Sequence, residues 1–324
     1  MEQRRLGPSG LQVSRLALGT MTWGRDTDVH EARAQLRDFA DAGGTLVDTA
    51  DVYAEGASET ILGQLLAEDG LRDQLVLATK AGARPGRTRR ADASRSHLLA
   101  ALDGSLARLG VDHVDLWQLH VWDPLTPLEE SLAAVDDAVR SGRVRYAGVS
   151  NYSGWELARA VTLQQRAGAA PLVTVQSEYS LLARGAEREV VPAAVATGIG
   201  LLPWSPLGRG VLSGKYRYGT PADSRAASAG LGPFVAPYLA EPQRRVVDAV
   251  CTAADGLGVA AVQVALAWVR DRPAVVAPVV GARSAAQLAV ALDSEHLTLP
   301  AEIVVALDEV SAPAMGYPDA GARR

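Results

Sequence analysis

An α/β fold, a (β/α)8 TIM barrel of parallel strands, is the class this sequence predicts, and three observations point to it. Short apolar runs alternate with longer amphipathic or Ala-rich segments along nearly the whole chain. Chemically reactive residues stand at the ends of several of those runs. The chain has 324 residues, within range of one barrel, and the single domain is expected over 1–324. Parallel strands require helical crossovers, so eight strand–helix units close on themselves and place the site at the C-terminal ends of the strands.

The elements follow in order. Arg4-Arg5-Leu6 and Leu11-Gln12-Val13-Ser14 flank the turn Gly7-Pro8-Ser9-Gly10 and predict an N-terminal β-hairpin. Barrel strands are expected near 16–19, 44–48, 75–80, 114–119, 145–149, 173–176, 200–204 and 275–280. Helical patterns fill the gaps near 28–42, 58–68, 94–109, 128–141, 153–167, 185–197, 259–271, 284–292 and 301–311. An extra helix near 243–257 is expected to pack outside the barrel. Thr126-Pro127-Leu128-Glu129, Ser153-Gly154-Trp155-Glu156 and Ser284-Ala-Ala-Gln287 fit capping boxes, in which a side chain at each end satisfies a free backbone N–H. The stretch 206–242, rich in Gly, Ala, Ser and Pro, breaks the rhythm directly after strand seven and reads as a functional loop.

Composition narrows the function. The net charge of −5 has acids and bases interleaved, which argues against a nucleic-acid surface. No run approaches the roughly 20 apolar residues of a membrane span, and the polar start Met1-Glu2-Gln3-Arg4-Arg5 lacks a signal segment, so a cytoplasmic protein is expected. The single cysteine, Cys251, excludes an internal disulfide and a Cys-based zinc site and follows Val246, Val247 and Val250 as a packing thiol. Arg84, Arg87, Arg89, Arg90 and Arg95 read as a solvated basic loop.

Lysine occurs only at positions 80 and 215, against thirty arginines. Lys80 ends the buried run Leu75–Ala78-Thr79, where a compact ammonium suits a crowded site better than the planar fork of Arg. Asp48 ends Thr45-Leu46-Val47, and His120 ends Leu116-Trp117-Gln118-Leu119. In parallel strands, Asp48, Lys80 and His120 meet at one mouth. Taken singly, Asp48 suits a loop cap and His120 a core histidine. A Lys and an Asp ending neighbouring buried strands, however, are costly unless paired. Tyr53 lies five residues past Asp48, on a loop that can return over the mouth. A free Tyr hydroxyl titrates near pH 10, and an adjacent ammonium lowers that value toward the range of a working acid. Trp23 and Trp122, just beyond strand ends, are expected to wall a substrate pocket with one polar anchor. Three other chemistries are excluded. No Gly-x-Gly-x-x-Gly follows the first strand, Gly208-Arg209-Gly210-Val-Leu-Ser213-Gly214-Lys215 has Arg209 where a phosphate loop needs its first Gly and is followed by Tyr216 in place of Ser or Thr, and Gly148-Val-Ser150-Asn-Tyr152 lacks the second Gly of a nucleophile elbow.

Five motifs in register carry a resemblance: Asp48-Thr-Ala-Asp-Val-Tyr53-Ala-Glu-Gly56-Ala-Ser58-Glu59, Leu77-Ala-Thr-Lys80-Ala-Gly82, Asp115-Leu-Trp-Gln-Leu-His120, Gly148-Val-Ser150-Asn151 and Gly281-Ala-Arg283-Ser284. Together with the opening Leu16-Ala-Leu-Gly19-Thr20-Met21-Thr-Trp23-Gly24, they resemble the aldo-keto reductases over about residues 3 to 311. The likeness is greatest to the long bacterial subgroup and to the potassium-channel β-subunits of the same superfamily. The resemblance implies a catalytic set of Asp48, Tyr53, Lys80 and His120. In that set Tyr protonates a carbonyl oxygen as a nicotinamide hydride reaches the carbon, and no metal is involved. It also implies that Ser150, Asn151 and Gln176 hold the carboxamide and that Trp204 stacks on the nicotinamide. Gly19, Thr20, Met21 and Asp48 would line the same end, and Ser205, Pro206, Leu207, Gly208, Arg209 and Gly210, with Lys215 and Arg225, would lie over the phosphates. Gly281, Arg283, Ser284 and Gln287 would take the adenosine-phosphate end, and Arg283 selects NADPH over NADH. The family's Gln-Leu-x-x-Asn becomes Gln287-Leu-Ala-Val-Ala291, which loses an adenine hydrogen bond. The expected activity is NADPH-dependent reduction of a small carbonyl substrate, an aldehyde, ketone or keto-sugar. The alternative is a cofactor-sensing regulatory subunit on the same barrel with slow turnover.

Overall fold

Two short antiparallel strands, β1 (Gln3–Arg5) and β2 (Gln12–Ser14), make the predicted hairpin. Leu6 and Val13 from this hairpin are fully buried in a cluster with Ala17, Leu46, Ala78, Leu116, Val173 and Leu202, so the hairpin closes the N-terminal end of the barrel. Gly7 makes that contact possible: its φ is +55°, and a Cβ there would stand 2.1 Å from the carbonyl oxygen of Val173. The chain is seen here in a computed structural model that describes residues 1–222, 224–228 and 230–316. The last eight residues of the expected domain, 317–324, lie outside the described residues.

The barrel is built from β3 (Ala17–Gly19), β4 (Leu46–Asp48), β5 (Val76–Ala81), β6 (Val114–Leu119), β7 (Val144–Ser150), β8 (Leu172–Glu178), β9 (Gly200–Trp204) and β10 (Val279–Val280). All pair in parallel in the order β10-β3-β4-β5-β6-β7-β8-β9. A bridge between Leu201 and Val275 joins the two ends of the sheet. Helices α1 (Val29–Asp41), α2 (Ala57–Asp69), α3 (Arg95–Leu109), α4 (Leu128–Arg140), α5 (Gly154–Ala167) and α6 (Val190–Thr197) surround it. They are joined by α7 (Gly232–Val235), α8 (Glu241–Leu257), α9 (Ala261–Arg270), α10 (Ala285–Leu292) and α11 (Ala301–Val310). This is the (β/α)8 barrel the sequence predicts.

Alternation along the strands decides what reaches the site. On β4, Val47 joins the outer core under the helices, whereas Leu46 belongs to the inner cluster; on β5 the same division separates Leu77 and Ala81 from Ala78. One period of two beyond Leu46 and Ala78 come Asp48 and Lys80, so both polar side chains stand inside the barrel directly above an apolar floor. Each fully buried leucine of that floor contributes roughly 1.5–3 kcal/mol of burial free energy, which fixes the register of the polar layer above it.

Several local expectations are corrected. Thr126 does not cap α4; its hydroxyl donates to Asp123 Oδ2 at 2.7 Å, and the helix starts after Pro127. The stretch 185–197 divides into a 3-10 turn, Gly185–Glu187, and α6. The last strand is shorter than predicted, because 275–280 touches the sheet at Val275 and pairs again only at Val279–Val280. The presumed loop 206–242 holds 3-10 turns at Gly208–Ser213, Arg225–Ala227 and Ala236–Leu239 in addition to α7. Pro233 and Pro237 start two of these pieces, where proline's fixed φ suits a first turn. Helix α8 packs outside the barrel as expected, with Val246, Val247, Val250, Cys251 and Ala254 buried. Among the described residues no single helix is long and apolar enough to cross a membrane.

The spacing of α2 and α3 depends on Gly63. A Cβ there would lie 2.6 Å from the carbonyl oxygens of both Arg108 and Leu109, atoms that cannot rotate away. Gly63→Ala is expected to lower stability by about 1–3 kcal/mol through overpacking, despite the roughly 1 kcal/mol that Ala gains over Gly inside a helix. Urea unfolding measures the balance, and a raised midpoint would show that α3 shifts at no cost.

Candidate active site

At the C-terminal ends of β4 and β5, Lys80 Nζ donates to Asp48 Oδ2 at 2.7 Å and to the carbonyl oxygen of Thr49 at 2.6 Å. The two side chains are 1% and 3% exposed. The other carboxylate oxygen of Asp48 accepts from Gln176 Nε2 at 2.9 Å, so both its oxygens are engaged. Burial opposes the charge on Lys80, but Asp48 and then the Tyr53 hydroxyl outweigh it and hold its pKa above the usual lysine value. The ammonium stands 5.0 Å from the centroid of the Tyr53 ring.

From the sequence, Lys80 is expected to lower the pKa of Tyr53. Burial prevails instead and raises it, with Lys80 pulling down and Asp48 pushing up, so Tyr53 keeps its proton throughout the neutral range. Its ring meets His120 edge-on, with centroids 6.0 Å apart and planes at 82°. Burial, and secondarily the charge on Lys80, push the His120 imidazole down to about 3. It is therefore neutral near pH 7, with one ring N–H to donate, and its Nδ1 has no hydrogen-bond partner among the described residues.

Tyr53 arrives by a tight hook. Ala54, Glu55 and Gly56 have φ of 48°, 56° and 93°, three consecutive left-handed residues. For the two non-glycine residues this costs roughly 1–2 kcal/mol each. The hook is pinned behind by Ser58, whose hydroxyl donates to the Thr20 carbonyl at 2.9 Å and lies 2.8 Å from Thr20 Oγ1. In front, the Asp51 N–H donates to the Lys80 carbonyl at 3.1 Å.

A cavity of about 460 Å³ opens in front of these groups. Of the residues predicted for the site, Gly19, Met21, Asp48, Tyr53, His120, Ser150, Asn151, Gln176, Trp204, Ser205, Pro206, Leu207, Arg209, Gly210, Lys215, Arg225, Gly281, Arg283 and Gln287 line it. Asn151 uses both ends of its amide, donating to the His120 carbonyl at 2.9 Å and accepting from Trp204 Nε1 at 3.0 Å, and so ties β6 and β9 together. Thr22, Ser213, Phe234, Val262, Val279, Val280, Ala282 and Ala291 also contribute to the lining. Of these, Val279 and Val280 are legible in retrospect as a strand end before Gly281, whereas nothing in the sequence singles out Phe234.

Other predicted residues stand elsewhere. Lys80 is behind the lining, and Thr20 is buried under the Tyr53 hook. Gly208 is buried in its turn against Leu182. Ser284 caps α10, accepting from the Gln287 N–H at 3.3 Å; Gln287 reaches back one residue further than a capping box requires, to the Arg283 N–H at 3.1 Å. Trp23 does not wall the pocket: it is fully buried and donates to Gln35 at 3.0 Å, because its indole fills the space over α1. Trp122 also lies outside the lining, stacked edge-on with Tyr152 and Trp155 at 5.2 and 5.5 Å. Arg209 is on the wall, but its guanidinium is committed to Glu178 through bonds of 2.9 and 2.8 Å and lies 3.7 Å over the Phe234 ring. A bidentate carboxylate and a ring face satisfy its fork within the protein.

The cavity is electrically asymmetric. Amide and hydroxyl groups of Ser150, Asn151 and Gln176 gather near the Lys80–Asp48 pair, whereas Lys215, Arg225 and Arg283 stand among the remaining lining residues. Arg225 titrates below the usual arginine value, through burial first and then the charges of Arg25 and Arg283, with Asp26 only partly offsetting them. Like charges held together in this way suit an anionic ligand. The donor set fits a long molecule with an amide at one end and phosphates at the other.

A model of the aldo/keto reductase family matches residues 15–312. The chain belongs to the aldo/keto reductase family. It is 37% identical over 320 residues to "Uncharacterized oxidoreductase YrpG" of Bacillus subtilis, covering 96% of each chain. It is also 37% identical to a "Probable voltage-gated potassium channel subunit beta" of Oryza sativa, covering 89% of each. With "L-glyceraldehyde 3-phosphate reductase" of Escherichia coli it shares 35% identity over 89% of this chain and 86% of the other. For this aldo/keto reductase the ion pair at the mouth is also a test of stability. Lys80→Met leaves a buried Asp48 carboxylate without its cation, and a loss of about 3–5 kcal/mol is expected. Adding Asp48→Asn should recover part of it in a denaturant titration. Independent, additive losses would mean the two groups are not coupled.

Proposed function

We propose that the protein is an NADPH-dependent carbonyl reductase that converts an aldehyde or ketone, including keto-sugars, to the alcohol. The observation that carries this reading is the buried Lys80–Asp48 pair placed beside a protonated Tyr53 at a cavity mouth. A nicotinamide bound along the cavity would supply the hydride. Tyr53 donates its hydroxyl proton to the carbonyl oxygen as the hydride reaches carbon, so that the two together complete the alcohol. The Lys80 ammonium offsets the charge left on the phenolate, and Asp48 holds that ammonium in place. Neutral His120 donates its single N–H to the same oxygen and orients the carbonyl without competing as an acid. Asp48 also fixes Gln176, which can turn its amide oxygen toward a carboxamide N–H. Ser150 offers a hydroxyl beside it on the wall.

Relatives named as channel β-subunits favour a second reading, a cofactor-sensing subunit in which turnover is slow. Steady-state NADPH oxidation with a panel of aldehydes, ketones and sugars separates the two. Tyr53→Phe is expected to abolish reduction and leave NADPH affinity nearly intact, since only the proton donor is removed. Full turnover by this variant would refute the assigned acid.

Preference for NADPH rests on Arg283, which lines the cavity one residue before the cap of α10. A charge-assisted bond to the 2′-phosphate contributes roughly 1.5–3 kcal/mol, about ten- to a hundredfold in affinity. Arg283→Ala should weaken NADPH binding at least about tenfold and scarcely change NADH binding. Quenching of Trp fluorescence reads both affinities, and equal losses would assign Arg283 to the loop's fold instead.

A further inference from the structure

Resting on the reading of Tyr53 as proton donor, we propose that Arg108 is its positioning residue, holding the Tyr53 hook from outside the cavity through Glu59 and the backbone of Gly56. Glu59 follows the hook in the first turn of α2, and its carboxylate is fully buried. Such a charge is tolerated only with a cation and hydrogen bonds. Arg108, in the last turn of α3, supplies both Nε and Nη2 to Glu59 Oε2, at 2.8 and 2.7 Å. Thr79, the neighbour of Lys80 on β5, donates to Oε1 at 2.5 Å. The pair thus joins α2, α3 and the strand that carries Lys80. The stem of Arg108 does further work: Gly56, last of the three left-handed residues, lies so close that a Cβ would meet Arg108 Cδ at 2.8 Å. A strained turn persists only where its surroundings hold it, and Arg108 adds a support from outside to those from Ser58 and the Asp51 N–H.

Asp51 gives this arrangement a readout that a purely structural contact would lack. Its Oδ1 is buried without a hydrogen-bond partner among the described residues. Its carboxyl faces Glu59 from α2, Arg108 from α3 and Lys80 from β5, beside the Val52 N–H. Burial first, and then Glu59, push it up to about 7, while Arg108 and Lys80 pull it down. Once ionised, Asp51 raises the pKa of Tyr53 and makes it a poorer proton donor. Reduction is therefore faster with Asp51 neutral, and turnover falls as pH rises through about 7. Loss of Arg108 changes the charge that faces Asp51, both directly and through Glu59, and so shifts the pH of that fall.

The experiment compares full-length wild type, Arg108→Ala, Arg108→Lys, Asp51→Asn and Tyr53→Phe, with NADPH and 4-nitrobenzaldehyde as probe, across the neutral pH range. For Arg108→Ala, kcat should drop at least about tenfold, as displacement of a catalytic group by an ångström allows, with NADPH affinity within about twofold of wild type. The pH of its alkaline fall should differ from that of the wild type. Guanidinium ion added to this variant should restore part of kcat. Arg108→Lys keeps the charge without the fork and should show reduced kcat with the wild-type pH profile. Asp51→Asn should lack the fall near neutrality. Unchanged kcat and pH profile in Arg108→Ala would overturn the proposal, as would equal losses of kcat and NADPH affinity with the profile unmoved. Should Arg108→Ala fail to fold, wild-type kcat in Arg108→Lys would overturn it. Full turnover by Tyr53→Phe refutes a different statement, that Tyr53 is the proton donor.

Discussion

The structure turns on one buried ion pair, Lys80 with Asp48, inside the mouth of the barrel. Two charges in such a place cost several kcal/mol each in lost hydration, and their attraction offsets this only if every remaining lone pair and proton is satisfied. Here the Thr49 carbonyl and the Gln176 amide complete the set. Replacing a buried pair by apolar residues of similar volume is often neutral or stabilising for a fold. The pair places a permanent cation next to a phenol whose pKa burial raises, and the cation offsets only part of that rise.

That pair determines much of what surrounds it. Asp48 fixes Gln176, the cation helps to keep His120 neutral, and the Tyr53 hook is folded back so that its ring reaches the ammonium. The cost appears as backbone strain in a particular place. Of the six non-glycine residues with positive φ among the described residues, Ala54, Glu55, Asn151, Ser205 and Arg209 all follow the C-terminal ends of barrel strands, and Ala274 lies elsewhere. Strain of this kind survives where packing over-determines it, and the mouth of the barrel is where side chains from several strands converge.

The cavity wall contributed by 206–242 shows how a stretch of small residues acquires order without a core of its own. Arg209 spans Glu178 at the end of β8, the Phe234 carbonyl and the faces of Phe234 and Tyr238. One guanidinium thus ties the segment back to the barrel it covers. Lys215 and Arg225 from this stretch line the cavity, as does Arg283 from the loop after β10.

By itself the sequence determined the barrel and the positions of Asp48, Lys80 and His120, because alternation along a strand and burial at its end are local properties written in consecutive residues. It also located Tyr53, five residues past Asp48, but not the sign of its pKa, which depends on how completely the hydroxyl is desolvated once the hook closes. Trp23 and Trp122 looked alike from their places after strand ends. Only packing sends the first indole over α1 to Gln35 and the second into a stack with Tyr152 and Trp155. Phe234 on the wall and Arg209 in its clasp with Glu178 were decided by tertiary structure as well, since partners about 25 to 31 residues apart meet only when the chain between them has folded. A charge's position along a strand is legible in one dimension, whereas its partner is chosen in three.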